Sequence, residues 1–484
     1  MSIQDLALPK NRWLPLGIVA FIAIVFATGI LWATNVLEGK WMVAVLIGLC
    51  VPWIALATRD LEYFLLLTFV FFLPLKLDFH LSYEKVGTSI KGLGISACDV
   101  ALMGLYALWI WKMVTTSPGK RQIQWFPSIS IPYAGMILWA TLSIFSAADP
   151  SFSLDELVDF FKAFLVFLYI ANNVRANSQL VGISYMIFAG VILQGLLALA
   201  QYFHGTTFGF ELLGETRHSF LVQEIGESGL ARVAGTQGHP NGFAYYLMLM
   251  LPLVTATILA GRSRRFTLAA GIAFFMGFVS LILTFSRMGW VGVALVVPWV
   301  IFMGIWKRAG LIKALRGLTI FAFLSALCIL PFAGTIGQRL FETDYGRAYS
   351  RVPLMEVALN IIRHHPLLGV GLNNYRLVMD QYDNTIERIT LHVPNPVHNM
   401  FLFVAAEVGI PGLIFFLWWH FALLKRGWRN FWEKEGFSCF LSLGLVGALA
   451  NNLIHGLVSF GNFGDTPTFA FFVGLLCALS LSHE

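Results

Sequence analysis

The sequence predicts an all-α polytopic integral membrane protein with about 12–14 transmembrane helices and a large extramembrane loop that contains an amphipathic helix. Three observations predict it. Only 12% of the 484 residues are charged, where a soluble domain of this length carries about a quarter. Apolar stretches long enough to cross a hydrocarbon core recur along the whole chain. The 32 Lys and Arg residues crowd into alternate connections between those stretches. The 43 Phe and 15 Trp suit lipid contact and interfacial belts. The net charge of +6 gives no nucleic-acid footprint, because the basic residues lie between apolar blocks and form no stripe.

Roughly fourteen segments meet the length requirement. The first seven are 14–33, 41–58, 61–77, 95–115, 129–147, 153–172 and 180–203. The rest are 241–260, 266–285, 289–306, 312–333, 397–424, 437–455 and 466–482. Lys10 and Arg12 precede the first segment as in a signal peptide, but the apolar run is too long and lacks a small-residue cleavage site. It reads as the first span. Segment 153–172 contains Asp155, Glu156, Asp159 and Lys162, so an interfacial amphipathic helix explains it as well as a span does.

Placing the N-terminus in the cytoplasm and alternating sides puts more than half of the 32 basic residues into cytoplasmic segments, as the positive-inside rule expects. Both termini are then cytoplasmic. The long loops 204–240 and 334–396 face outward, and loops of that length usually carry function. In the second, Val352, Met355, Leu359 and Ile362 recur near helical spacing and predict an amphipathic helix over 350–363, ended by Pro366 and Gly369-Val-Gly371. No repeat or linker breaks the chain, which reads as one transmembrane domain over 1–484. Cys50, Cys98, Cys328, Cys439 and Cys477 all lie in or beside apolar segments and form neither a disulfide framework nor a zinc pattern.

Four outward stretches carry candidate chemistry. In Arg232-Val-Ala-Gly-Thr-Gln-Gly-His239-Pro-Asn241, the glycines permit tight turns, and Pro240 with Asn241 opens a helix whose free N–H groups can receive an anion. A polar loop with a good helix cap explains the same residues. In Thr284-Phe-Ser286-Arg287-Met-Gly289, Arg287 stands at a membrane boundary without an acidic neighbour in sequence. It either snorkels or binds a ligand. Guanidinium groups grip phosphate as a fork, so Arg232 and Arg287 form a candidate diphosphate clamp.

The third stretch holds Arg347 and Arg351, four apart, followed by His364-His365-Pro366 and Asn373-Asn374-Tyr375. A solvated helix face explains the arginines nearly as well as substrate binding. Adjacent histidines without a carboxylate motif argue against a metal site, and no cofactor is implied. The fourth begins at His398-Asn399, on the outward end of an apolar helix, and runs to Glu407, Gly409 and Gly412. His398 suits either a cap or a base that accepts a hydroxyl proton. Glu407 lies roughly 13 Å deeper at the usual helical rise and needs a partner or a proton.

Taken together, these stretches resemble the O-antigen ligase family, which includes O-antigen polymerases and protein O-oligosaccharyltransferases. The resemblance covers mainly 190–420 and rests on Gly235-Thr-Gln-Gly-His-Pro-Asn241, Ser286-Arg287, His365-Pro-Leu-Leu-Gly-Val-Gly371 and His398-Asn399 with Gly409 and Gly412. The family commonly has about twelve helices, fewer than the spans read here. The resemblance implies an inverting, metal-independent glycosyltransferase of polysaccharide biosynthesis, on the periplasmic face of a bacterial inner membrane. Its donor would be a glycan on undecaprenyl diphosphate, its acceptor a lipid or glycan hydroxyl, and its solvent the membrane lipids. By that resemblance Arg232 and Arg287 bind the diphosphate and His398 activates the acceptor. His239, Asn241, Arg347, Arg351 and Asn399 are further candidates for substrate contact. Polymerisation is the nearest rival function, since it needs the same clamp and base. A glycolipid transporter or flippase is the rival from another class; it would show inverted repeats and midplane sites, which the sequence lacks.

Overall fold

The computed structural model describes residues 60–75, 77–80, 84–86, 89–92, 94–115, 122–210, 214–215, 232–341, 350–459 and 466–481. The expected spans 14–33 and 41–58, together with Cys50 and Arg347, lie outside the described residues. The chain has two compact units, Met1–Phe64 and Leu65–Glu484; residues 60–64 are the described part of the first, and every described residue from Leu65 onward belongs to the second.

The helices are α1 (Leu61–Phe72), α2 (Ala97–Thr115), α3 (Pro127–Ser143), α4 (Pro150–Asn173), α5 (Asn177–His204), α6 (Pro240–Ala260), α7 (Arg264–Leu283) and α8 (Arg287–Ala309). They continue as α9 (Leu311–Ile329), α10 (Ala333–Phe341), α11 (Arg351–His364), α12 (Tyr375–Val378), α13 (Ile389–His392), α14 (Met400–Glu433), α15 (Gly436–Gly456) and α16 (Pro467–Leu481). Among the described residues, nine helices are long and apolar enough to cross a membrane, and α1 and α16 are shorter apolar helices. The protein is an all-α, multi-pass membrane protein.

The expected spans coincide with helices wherever residues are described, and their ends differ for physical reasons. Segment 61–77 stops at Phe72 because Pro74 cannot continue the hydrogen-bond ladder. Pro331 likewise converts the end of 312–333 into a 3₁₀ turn, after which α10 resumes. In contrast, α14 runs past 424 to Glu433, since Lys425, Arg426 and Arg429 are acceptable helix formers. The 76–94 connection contains two antiparallel strand pairs, β1 (Asp78–His80) with β4 (Gly94–Ser96) and β2 (Glu84–Val86) with β3 (Ser89–Lys91). Three-residue strands carry too short an alternation to be read from sequence.

The core is built on α6 and α15, whose spans are the most enclosed and which pack along each other. Small residues make that approach possible: a Cβ added at Gly444 would lie 2.8 Å from the Leu253 Cα, and one at Gly447 2.9 Å from the Pro252 side chain. Around this pair, α8 packs on α6, α7 on both α5 and α6, α3 and α15 on α14, and α16 on α4. The charges in α4 are partnered. Asp155 Oδ2 accepts from the Gly92 N–H at 2.8 Å, while Lys162 reaches the Gly94 carbonyl at 2.6 Å, Asp159 at 2.9 Å and Asp99 at 3.6 Å. These bonds tie the first half of α4 to the β3–β4 connection and the start of α2, and they explain how a helix with four ionisable residues packs into the bundle.

A second, smaller core lies in the 350–397 segment. The expected amphipathic helix is present as α11, but the buried face is not the one the periodicity picked. Val352, Met355 and Leu359 are exposed, whereas Leu354, Val357, Ala358 and Ile361 pack on Val370, Tyr375, Met379, Ile389 and Val397. Both sets follow helical spacing; tertiary partners, absent from a local pattern, decide between them.

Candidate active site at one end of the bundle

Arg232 is buried, with 3% of its surface exposed. Its Nε donates to the Thr284 carbonyl at 2.8 Å and its Nη2 to Asn241 Oδ1 at 2.9 Å, so two residues singled out in the sequence meet. The turn after Arg232 is held from below by two glutamines of α5, seven residues apart and therefore on one helix face. Gln201 Oε1 accepts from the N–H groups of Ala234 (3.3 Å) and Gly235 (2.9 Å), and its Nε2 donates to the Gly235 carbonyl (3.1 Å) and to Glu215 (2.8 Å). Gln194 Oε1 accepts from Thr236 N at 3.0 Å. Gly235 is left-handed (φ 56°), and a Cβ there would collide with the Gln194 side chain. The Pro74 carbonyl completes the cradle by accepting from Thr236 Oγ1 (2.9 Å) and Gln237 Nε2 (2.6 Å). His239 caps α6, its Nδ1 accepting from Asn241 N at 3.0 Å.

The α7–α8 connection receives this assembly. Phe285 is left-handed at φ 49°, and Ser286 caps α8 through Gly289 N. Arg287 then begins α8, and its Nε and Nη2 both donate to the Arg339 carbonyl near the end of α10, at 2.9 and 2.6 Å. Arg287 is thus held against the end of α10 by a backbone carbonyl. One four-residue turn, 284–287, therefore anchors Arg232 and supplies Arg287 beside the N-terminus of α8, where unpaired amides and the helix dipole favour an anion.

The His365–Gly371 and Glu407–Gly412 motifs turn out to be two halves of one joint. Helix α14 breaks at Gly409 (φ 74°), where any Cβ would collide with the Leu367 carbonyl. Across the break, Val370 N donates to Ala406 O (2.9 Å), Gly371 N to Glu407 O (3.0 Å) and Ile410 N to Pro366 O (2.9 Å). The partner that Glu407 requires is backbone: its buried carboxylate accepts from Asn373 N at 2.9 Å and Tyr375 N at 3.1 Å. Asn374 extends the joint to Asp149 N at 2.8 Å and Ser153 Oγ at 3.0 Å. His365 Nε2 pairs with the Tyr382 hydroxyl at 2.6 Å and His364 Nδ1 with the Asn360 carbonyl at 2.8 Å. Among the described residues, no group of three His, Cys, Asp or Glu side chains is placed to hold a metal ion.

His398 is half-buried just before α14. Asn399 is the helix cap, with Oδ1 accepting from Leu402 N at 3.0 Å and Nδ2 reaching the Leu457 carbonyl at 3.4 Å. Burial, with the nearby Arg351 charge adding to it, holds the His398 imidazole below its ordinary pKa and hence in the neutral, proton-accepting form. Arg351 opens α11, so this helix brings a cation to His398. At Asp383, in the 350–397 segment, burial opposes ionisation, but hydrogen bonds from Thr385 and Thr390 outweigh that, lower its pKa and keep it charged.

A run of neighbours leads from Arg232 to Met400, two residues after His398. Asn241 lies one turn before Tyr245 on α6; Tyr245 donates to Asn452 Oδ1 at 2.7 Å and packs 4.8 Å from the His455 ring. Gly456, next along α15, lies against Met400. Arg232, His239, Asn241, Arg287, Arg351, His398 and Asn399 thus occupy one end of the bundle. Gln194, Gln201, Glu215 and Arg339 were missed in the sequence. The two glutamines had a readable signal, being amides seven apart in an otherwise apolar span.

These features define a multi-pass α-helical membrane protein with a polar, cation-rich site assembled where several helices end. Residues 272–417 match the family model described as O-antigen ligase. That interval contains Arg287, Arg351, His398 and both halves of the α14 joint, while Arg232, His239 and Asn241 precede it. The match supports the O-antigen ligase family, which the motifs resemble, and with it a ligase- or polymerase-like glycan-processing membrane enzyme. No curated protein matches the sequence.

Proposed function

We propose that the protein transfers a glycan from undecaprenyl diphosphate to an acceptor hydroxyl at the periplasmic face of the inner membrane. The observation that carries this reading is the 284–287 turn, which anchors the buried Arg232 and presents Arg287 three residues later. Two guanidinium groups at a helix N-terminus suit a diphosphate. His398 takes the proton of the acceptor hydroxyl, the hydroxyl oxygen bonds to the anomeric carbon, and the carbon–oxygen bond to the diphosphate breaks with its electron pair leaving on phosphate. Attack opposite the leaving group inverts the anomeric centre. The arginines carry the developing negative charge, so the step requires no metal.

Purified protein supplied with a lipid-diphosphate-linked glycan and separate acceptors tests the reading. Transfer that persists in EDTA is the expected result. Acceptance of a second lipid-linked repeat selects the polymerase, and acceptance of a different lipid or glycan selects the ligase. Movement of intact donor across vesicles without bond cleavage would replace the enzyme with a transporter.

A further inference from the structure

We propose that Arg339 is a third cationic ligand of the leaving diphosphate, an inference that rests on the donor reading above. Arg339 lies in α10, beyond the apolar run of α9 and outside the family-like motifs. Its backbone and side chain are both tied to the 284–287 turn. The Arg339 carbonyl accepts from Nε and Nη2 of Arg287, and the Arg339 Nε reaches back to the Phe285 carbonyl at 3.5 Å. The preceding carbonyl, that of Thr284, takes Arg232. The left-handed Phe285 separates these consecutive carbonyls, so each receives a different arginine. Three guanidinium groups from three separate segments, the loop before α6, the start of α8 and the end of α10, are thereby gathered at one turn.

The number of charges fits the chemistry. A sugar diphosphate esterified at both ends carries two negative charges, and breaking the bond to the sugar gives its lipid diphosphate the capacity for a third. A cation beyond the Arg232–Arg287 pair is complementary to the charge that develops during bond breaking. The bonds from Arg287 to the Arg339 carbonyl and from Arg339 to the Phe285 carbonyl make the end of α10 part of the site wall, fixed to the same turn as the other two arginines.

Arg339→Gln tests this cleanly, because the carbonyl that Arg287 grips is retained. Donor kcat/KM should fall by about tenfold or more, the effect of losing one charge-assisted hydrogen bond, with acceptor KM unchanged. Arg339→Lys should recover part of the loss. In the unaltered protein, farnesyl diphosphate should shield Arg339 from phenylglyoxal, a readout that needs no folded variant. Equal modification with and without farnesyl diphosphate, or a donor kcat/KM within about twofold of the parent in a folded Arg339→Gln protein, would overturn the proposal. Arg232→Ala, measured alongside, separates the two levels: if it abolishes transfer while Arg339→Gln does not, only the role of Arg339 falls. If neither variant affects donor turnover, the diphosphate reading fails as a whole.

Discussion

Glu407→Gln probes how the 366–375 segment is held against the break in α14. The Glu407 side chain is 1% exposed, and its two oxygens each accept one backbone N–H, from Asn373 at 2.9 Å and Tyr375 at 3.1 Å. Glutamine has nearly the same shape but offers one acceptor oxygen and one amino group, so one of the two buried N–H groups faces another donor. Leaving a buried donor unsatisfied costs about 1–3 kcal/mol. That is the loss expected for local opening of this segment, which corresponds to a fall of about 5- to 150-fold in amide-exchange protection. Glu407→Ala orphans both donors and adds a cavity, so its cost should be about twice as large. Hydrogen exchange by mass spectrometry on peptides spanning 370–378, in detergent, reads the effect directly. Parental protection at Asn373 and Tyr375 in a folded Glu407→Gln protein would refute the assignment of Glu407 as the latch.

Gln201→Ala should orphan the Ala234 and Gly235 amides and lower thermal stability by at least about 2 kcal/mol; an unchanged unfolding temperature would show that the Arg232 turn does not depend on α5. Gln201→Glu places a carboxyl against Glu215 and should be worse than the isosteric change suggests. The neutral His398 is the base form, so transfer should rise with pH through its pKa, and burial together with Arg351 sets that ascending limb below the ordinary imidazole range. Arg351→Gln removes one of the two causes and should move the limb to higher pH; a limb that stays in place would mean another group titrates. Cysteines introduced at Thr206 and Tyr382 should label from the periplasm and those at Arg264 and Lys313 only from the cytoplasm, and the reverse pattern would invert the topology.

Apolar length and charge placement made the helices legible, because a bilayer imposes the same constraint on every span. The same logic misplaced the end of 61–77, where apolar composition continues but Pro74 ends the helix, whereas Pro331 only tightens one turn of a span that continues to Arg339. Segment 350–363 shows another limit: the helix was legible, but two apolar stripes shared its spacing and only the contacts of Leu354 and Ile361 with Val370, Ile389 and their neighbours selected one. In the site, motif residues such as Arg232 and Asn241 announced themselves, but the bond by which Arg232, in the loop before α6, reaches Asn241 in the first turn of that helix did not follow from sequence order. Nor did the role of Glu407 as acceptor for a distant backbone, since the residues it serves lie over thirty positions away in a loop without periodicity. Arg339 was hidden for a related reason, standing just past an apolar run where a basic residue ordinarily marks an interface.

The claim at the centre of this account is that Arg232 and Arg287 hold the diphosphate of a lipid-linked glycan while it leaves. Single-turnover transfer from a defined undecaprenyl-diphosphate-linked donor, measured for the parent, Arg232→Ala and Arg287→Lys proteins at matched folded concentration, tests it most directly. Losing the bidentate fork while keeping the charge should slow Arg287→Lys by roughly 10- to 150-fold, and Arg232→Ala by at least as much. Parental rates in both folded variants would contradict the account.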